Sequence, residues 1–102
     1  MADKRVVVVT GASRGLGKEI ALAFASKDVS LVLAARTLSE LNQTAKEVEK
    51  RGAHTLVVKT DVRSVSDCTN LVKKTLERFS RIDILVNNAG VFCKKPFDET
   101  VE

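Results

Sequence analysis

Short apolar runs alternate along the chain with segments of helical period, and this alternation limits the possible folds more than any other feature. The four runs are mostly continuous in apolar or β-branched residues, which is typical of strands covered on both faces. They are VVVV at 6–9, LVLAA at 31–35, TLVVK at 55–59 and IDILV at 82–86. Between them, residues 15–27, 38–51 and 65–79 carry apolar side chains at helical spacing. The sequence therefore predicts the order βαβαβαβ.

Strands that alternate with helices in this way pair in parallel, and right-handed crossovers leave few topologies. We therefore expect an α/β, Rossmann-like, doubly wound parallel sheet with strand order 3-2-1-4. The 102 residues form one dinucleotide-binding domain in this interpretation. In such a sheet the carboxyl ends of strands 1 and 4 meet at the switch point where ligands bind.

The ends of the predicted helices carry recognisable signals. Thr37, followed three residues later by Glu40, predicts a capping box for the second helix. Gly52 lies where a left-handed cap ends that helix, and Ser64 with Asp67 opens the third.

Composition argues against several classes of function. The formal charge of +4 comes from Lys and Arg interleaved with Asp and Glu, and the chain has neither Trp nor Tyr to stack on bases, so we expect no nucleic-acid partner. No apolar run is long enough for a membrane span or a signal peptide, and the expectation is a soluble cytoplasmic protein. Cys68, Cys93 and the single His54 have no metal-ligand or redox spacing, so no metal site is expected.

A glycine-rich turn, TGASRGLG at 10–17, follows the first strand and opens the first helix. Its glycines, Gly11, Gly15 and Gly17, let the backbone turn tightly and approach a pyrophosphate at the positive end of the helix. A flexible turn without a ligand needs fewer glycines, so nucleotide binding is favoured. Thr10 and Ser13 either bond to the backbone of this turn or serve as ordinary turn residues.

The second strand ends in AAR, where dinucleotide sites for NAD carry an acidic residue that binds the ribose 2′-hydroxyl. Arg36 would instead attract a 2′-phosphate, and Arg14 in the glycine turn lies in an element that reaches the same group. The alternative is that both are solvated surface arginines. Given a dinucleotide site, the sequence favours NADP over NAD.

Polar residues also follow strands 3 and 4. Asp61, with Val62 beside it, either accepts a bond from the adenine amino group or caps the loop before the third helix. Asn87 and Asn88 either tie the strand end to a neighbouring turn or a ribose, or reflect the left-handed turn geometry that Asn tolerates.

Taken together, TGASRGLG, AAR, TDV and NNAG closely resemble the N-terminal part of the short-chain dehydrogenase/reductase family, over residues 5–102. The resemblance implies an oxidoreductase that transfers hydride between NADP(H) and a carbonyl or alcohol substrate, usually as a homo-oligomer. It assigns cofactor binding to Gly11, Ser13, Arg14, Gly15, Leu16, Gly17, Arg36, Asp61, Val62, Asn87, Ala89 and Gly90.

One departure from the family concerns catalysis. The family's catalytic Asn, Ser, Tyr and Lys follow the NNAG turn, and this chain contains no Tyr. We therefore name no catalytic residue, expect the 102 residues alone to be inactive, and interpret them as a fragment or truncated form of a longer reductase. The alternative hypothesis is a non-catalytic module that binds a nucleotide or a partner chain.

Overall fold

The strands and helices alternate as the sequence predicts in a computed structural model that describes residues 4–88. The elements are β1 (Arg5–Thr10), α1 (Gly15–Phe24), β2 (Val29–Ala35), α2 (Leu38–Glu49), β3 (His54–Lys59), α3 (Val65–Phe79) and β4 (Ile84–Asn87). Residues 89–102, which include the predicted site residues Ala89 and Gly90, lie outside this range.

All strand pairs in the sheet are parallel, and the order β3-β2-β1-β4 confirms the predicted fold. Val9 stands in the centre of the ladder, level with Leu33 on one side and Val86 on the other. Because β1 pairs with β4, the chain brings its first and last described strands together. Their carboxyl ends therefore meet, as the switch point of a doubly wound sheet requires.

The two faces of the sheet carry separate cores, and each is covered by helices. Val7 and Val9 point to the face covered by α1 and α2, where they pack with Ala21, Leu41 and other buried residues. Val6 and Val8 point to the opposite face, whose cluster includes Leu71 of α3. Covering both faces explains why the strands are continuously apolar rather than alternating.

The helix ends differ from the sequence predictions at two places. Helix α1 ends at Phe24 rather than near residue 27, because Ala25 is already extended, with ψ at 122°. Thr37 precedes α2 but makes no side-chain cap hydrogen bond, so the predicted capping box is wrong. The other half of the box, from Glu40 back to Thr37, competes with a contact to another element, because the Glu40 carboxylate lies 4.0 Å from the Arg14 Nε. The predicted cap of α3 is confirmed: Ser64 Oγ accepts from the Asp67 backbone N–H at 3.2 Å.

None of the helices within residues 4–88 has the length and apolarity needed to cross a bilayer.

Candidate functional site

A cleft of about 440 Å³ lies at the carboxyl ends of β1, β2 and β3. Its size is that of a small-molecule site, and it occupies the edge where open α/β sheets bind ligands. The loops that follow the three strands form its walls. The lining residues are Gly11, Ser13, Arg14, Ala35, Arg36, Thr37, Glu40, Thr60, Asp61, Val62 and Arg63.

The glycine turn after β1 has the backbone geometry that only glycine adopts without strain. Gly11 and Gly15 have φ angles of 65° and 61°, in the left-handed region. Between them the Ala12 N–H donates to the Ala34 carbonyl oxygen at 3.2 Å, which holds the turn against β2. The chain then enters α1 at Gly15, beside the cleft.

The N-terminal end of α1 has no anionic partner within the described residues. Its first turn contains no acidic residue, and Arg14, at the N-cap position, makes no side-chain cap hydrogen bond. The contrast is α3, whose first turn holds Asp67 and whose N-cap is Ser64. The first N–H groups of a helix carry partial positive charge. The α1 end is thus the one suited to an external anion such as a phosphate.

Gly17 serves close packing rather than an unusual backbone angle. A Cβ atom there would lie 2.6 Å from Asn88 Nδ2 and closer still to the Gly11 carbonyl oxygen. No side chain fits in that space. The first turn of α1 therefore packs directly on the backbone of the glycine turn and on the end of β4.

The Thr10 hydroxyl joins the end of β1 to the end of β4. It donates to Asn87 Oδ1 at 3.2 Å, lies 3.4 Å from the Val86 carbonyl oxygen, and accepts from the Asn88 N–H at 3.1 Å. Thr10 thus bonds across the sheet and not only within its own turn. Asn88 also donates from Nδ2 to the Gly11 carbonyl oxygen at 3.4 Å. Of the two alternatives for the paired asparagines, the tie between the strand end and the neighbouring turn is observed.

Three arginines line the cleft, and Arg14 and Arg36 are the two that do not bind Asp61. The Arg14 side chain is 83% exposed, and its ionic contact within the described part of the chain is with Glu40, at 4.0 Å. Arg36 follows β2 and is exposed, and within residues 4–88 it forms neither an ion pair nor a side-chain hydrogen bond. Its guanidinium is therefore available to a ligand at the cleft.

Asp61 is fixed by the loop that it begins. Its Oδ1 accepts from the Arg63 N–H at 2.9 Å, and the Arg63 guanidinium binds both carboxylate oxygens, at 3.2 and 3.3 Å. The Asp61 N–H donates to Asp67 Oδ2 at 2.8 Å. The Arg63 side chain, the Arg63 backbone N–H and the charge of Arg36 lower the Asp61 pKa below its ordinary value of 3.8. The loop role is thus observed, and the same carboxylate lines the cleft.

The structure separates the predicted site residues into two groups. Gly11, Ser13, Arg14, Arg36, Asp61 and Val62 line the cleft. Outside the lining, Gly15, Leu16 and Gly17 begin α1 and Asn87 ends β4, and Leu16 is 68% exposed.

Sequence reasoning did not assign site roles to five of the cleft residues, namely Ala35, Thr37, Glu40, Thr60 and Arg63. A positional signal existed for two of them. Glu40 lies four residues after Arg36, and Arg63 lies two residues after Asp61, which places both close in sequence to predicted site residues.

A family model described as short chain dehydrogenase matches residues 5–102. The chain belongs to the short-chain dehydrogenase family. The resemblance that the four motifs indicated is thereby confirmed. Among curated relatives, 11-beta-hydroxysteroid dehydrogenase A of Sesamum indicum is 41% identical over 96 residues, which are 93% of this chain and 28% of that protein.

Solved structures of the family share the fold described above. A hydroxysteroid dehydrogenase from Escherichia coli superposes with a TM-score of 0.79 at 29% identity, over 83% of this chain and 36% of that one. An alcohol dehydrogenase from the archaeon Thermococcus sibiricus, complexed with 5-hydroxy-NADP, gives 0.76 at 36% identity, over 81% and 36%. The chain therefore spans about a third of the length of the relatives it matches.

Proposed function

We propose that this chain is the NADP(H)-binding part of an oxidoreductase that transfers hydride between the nicotinamide cofactor and a carbonyl or alcohol substrate. The observation that carries the proposal is the Arg36 guanidinium at the cleft, which has no ion pair or side-chain hydrogen bond within residues 4–88 and stands where a site for NAD carries a carboxylate. Family membership supports the class of reaction, and the described residues support the choice of cofactor.

The residues present fit such a cofactor. The uncapped end of α1 suits the pyrophosphate, because its first N–H groups carry partial positive charge and Gly17 leaves no side chain between the helix and the glycine turn. Arg36 and Arg14 suit a 2′-phosphate on the adenosine ribose. Asp61, oriented by Arg63, suits the adenine amino group as a hydrogen-bond acceptor.

Charge favours NADP(H) over NAD(H) in this proposal. A phosphate beside an arginine gains a charge-assisted and often bidentate hydrogen bond, whereas a ribose hydroxyl gains much less. The solved relative from Thermococcus sibiricus was complexed with a derivative of NADP, which supports the same choice.

The catalytic step is assigned to residues outside this chain. The sequence contains no Tyr, which is the acid/base that the family resemblance implies. We therefore propose that the 102 residues hold the cofactor, and that the substrate site and the homo-oligomeric contacts belong to the rest of a longer protein.

Calorimetric titration of the purified 102-residue chain with NADPH and with NADH tests the cofactor assignment. We expect NADPH to bind at least about tenfold more tightly, since one charge-assisted phosphate contact contributes about 1.5 to 3 kcal/mol. Arg36→Ala should remove most of this preference and leave the affinity for NADH unchanged within about twofold.

Arg78→Ala is the matched control, because it removes one exposed arginine from the far end of α3, about 20 Å along that helix from the cleft. It should leave both affinities unchanged. A wild-type chain that binds neither dinucleotide, or that binds NADH as tightly as NADPH, would overturn the cofactor assignment.

A further inference from the structure

Glu40 brings a negative charge to the part of the cleft that holds Arg14 and Arg36. It lies in the first turn of α2 and lines the cleft together with Arg14, Arg36 and Thr37. Its carboxylate is 4.0 Å from the Arg14 Nε, and its side chain is 41% exposed. The predicted capping role would have directed this carboxylate toward Thr37, which makes no side-chain cap hydrogen bond.

The other carboxylate of the cleft is already neutralised. Asp61 accepts three hydrogen bonds from Arg63, two of them from the guanidinium. That arginine therefore contributes little free positive charge to the cleft. The cations available to an anionic ligand are Arg36 and Arg14, and Glu40 offsets the second of them.

An exposed ion pair at this distance holds Arg14 only weakly, since solvent screens it and long side chains lose entropy when ordered. Arg14 is therefore free to leave Glu40 for a doubly charged phosphate. When Arg14 moves to the phosphate, it loses its attraction to Glu40. The Glu40 carboxylate then lies close to the phosphate and repels it. Both effects oppose phosphate binding and have the same sign.

We propose that Glu40 competes with the 2′-phosphate of NADPH for Arg14, and so lowers the preference of the site for NADPH over NADH. The inference rests on the proposed function, because it concerns the same phosphate. It makes Glu40 a specificity-determining residue that acts through Arg14. The ribose hydroxyl of NADH has no charge, and its binding should not depend on Glu40.

The test compares Glu40→Gln with wild type by calorimetric titration of both dinucleotides at low ionic strength. Glutamine keeps the size and helix propensity of the side chain and removes only its charge. We expect NADPH to bind about three- to tenfold more tightly to the variant, and NADH to change by less than about twofold. The gain should shrink at about 0.5 M salt, where screening acts over only a few ångströms.

Glu47→Gln is the matched control. Glu47 lies on the same helix, about 10 Å further along it, and pairs with Lys18 at 2.7 Å outside the cleft. This variant removes the same charge from α2 and should not change the ratio of the two affinities. An equal gain in NADPH affinity from Glu47→Gln would overturn the proposal, because the effect would then reflect net charge alone.

A double-mutant cycle with Arg14→Gln tests the route of the effect. If Glu40 competes for Arg14, the gain from Glu40→Gln should be clearly smaller in the Arg14→Gln background, where only the direct repulsion between Glu40 and the phosphate remains to be removed. A gain that persists in full would overturn the competition, as would weaker NADPH binding by Glu40→Gln in the wild-type background.

A wild-type chain that prefers NADPH, with Glu40→Gln indistinguishable from it, overturns this inference alone. A wild type that binds neither dinucleotide overturns the proposed function, and this inference falls with it.

Discussion

The side-chain amide of Asn88 donates to the carbonyl oxygen of Gly11 across 77 positions of sequence, at 3.4 Å. The contact joins the turn after β4 to the turn after β1. Gly17 completes this junction, because its Cα packs where a side chain would strike both partners. Asn88 therefore contributes to the shape of the glycine turn, and the end of β4 and the glycine turn form one structural unit at the switch point of the sheet.

Gly17→Ala should be far more damaging than Gly15→Ala. A methyl group at Gly17 meets backbone that cannot move without displacing α1 from the sheet, so we expect a loss of about 3 kcal/mol or more in the free energy of unfolding. At Gly15 a methyl group would meet open space, and the penalty comes from the left-handed φ of 61° alone. For alanine that backbone angle costs about 1 to 2 kcal/mol. Urea unfolding followed by circular dichroism measures both. An equal or larger loss for Gly15→Ala would contradict the packing role of Gly17.

Thr10→Val should destabilise the chain although it preserves the shape of a fully buried side chain. The change removes the hydroxyl that Asn88 N–H and Asn87 Oδ1 use, and losing two part-buried hydrogen bonds should cost about 1 to 2 kcal/mol. Thr75→Val is the control. The Thr75 hydroxyl donates to the Leu71 carbonyl oxygen within α3, so removing it leaves no N–H donor without an acceptor. We expect the free energy of unfolding to fall by less than about 1 kcal/mol. Urea midpoints that fall equally for both variants would argue against the Thr10 junction.

Much of the fold follows from local patterns, for a physical reason. Parallel pairing and right-handed crossovers restrict the topology once the strands are located, and the continuous apolar run at Val6–Val9 already shows that both faces of β1 are covered. Ser64 was likewise predictable, because an N-cap hydrogen bond involves only residues three apart.

The side-chain arrangement of the cleft does not follow from local patterns. Thr37 makes no side-chain cap hydrogen bond, and Glu40 has a partner from another element, Arg14, which propensity rules do not include. Asn88 reaches Gly11 only because the register of β1 and β4 sets Thr10 level with Asn87. Such contacts depend on strand register and on the direction of each side chain, and the spacing of one motif contains neither.

The two helix caps give a direct comparison of stability. Ser64→Ala should lower the free energy of unfolding by about 1 kcal/mol, because Ser64 Oγ accepts from the first turn of α3. Thr37→Ala should cost clearly less, since Thr37 makes no side-chain cap hydrogen bond to α2. Urea unfolding of both variants at neutral pH measures the difference. A larger loss for Thr37→Ala would mean that the capping box forms in solution.

Asp83 should make stability depend on pH in the acid range. Its Oδ2 accepts from the Val6 N–H at 2.8 Å, its own N–H donates to the Val6 carbonyl oxygen at 2.9 Å, and Arg81 binds its Oδ1 at 2.7 Å. The Arg81 side chain and the Val6 N–H lower the pKa of Asp83 below its ordinary value of 3.8. The folded state therefore holds the ionised carboxylate more strongly than the unfolded chain does. The resulting stabilisation is present above pH 3.8 and is lost as the pH falls through the lowered folded value.

Asp83→Asn should flatten this acid dependence. We expect the fall in unfolding free energy between about pH 6 and pH 3 to be smaller than in wild type by about 0.5 to 1 kcal/mol, since the carboxylate is partly exposed. Asp28→Asn is the control at the same end of β1. The Asp28 carbonyl oxygen accepts from the Arg5 N–H, but within residues 4–88 the Asp28 carboxylate has no hydrogen bond or ion pair. Urea titrations at both pH values measure the three proteins. An acid dependence that Asp83→Asn leaves unchanged would show that the link between the starts of β1 and β4 does not depend on the charge of Asp83.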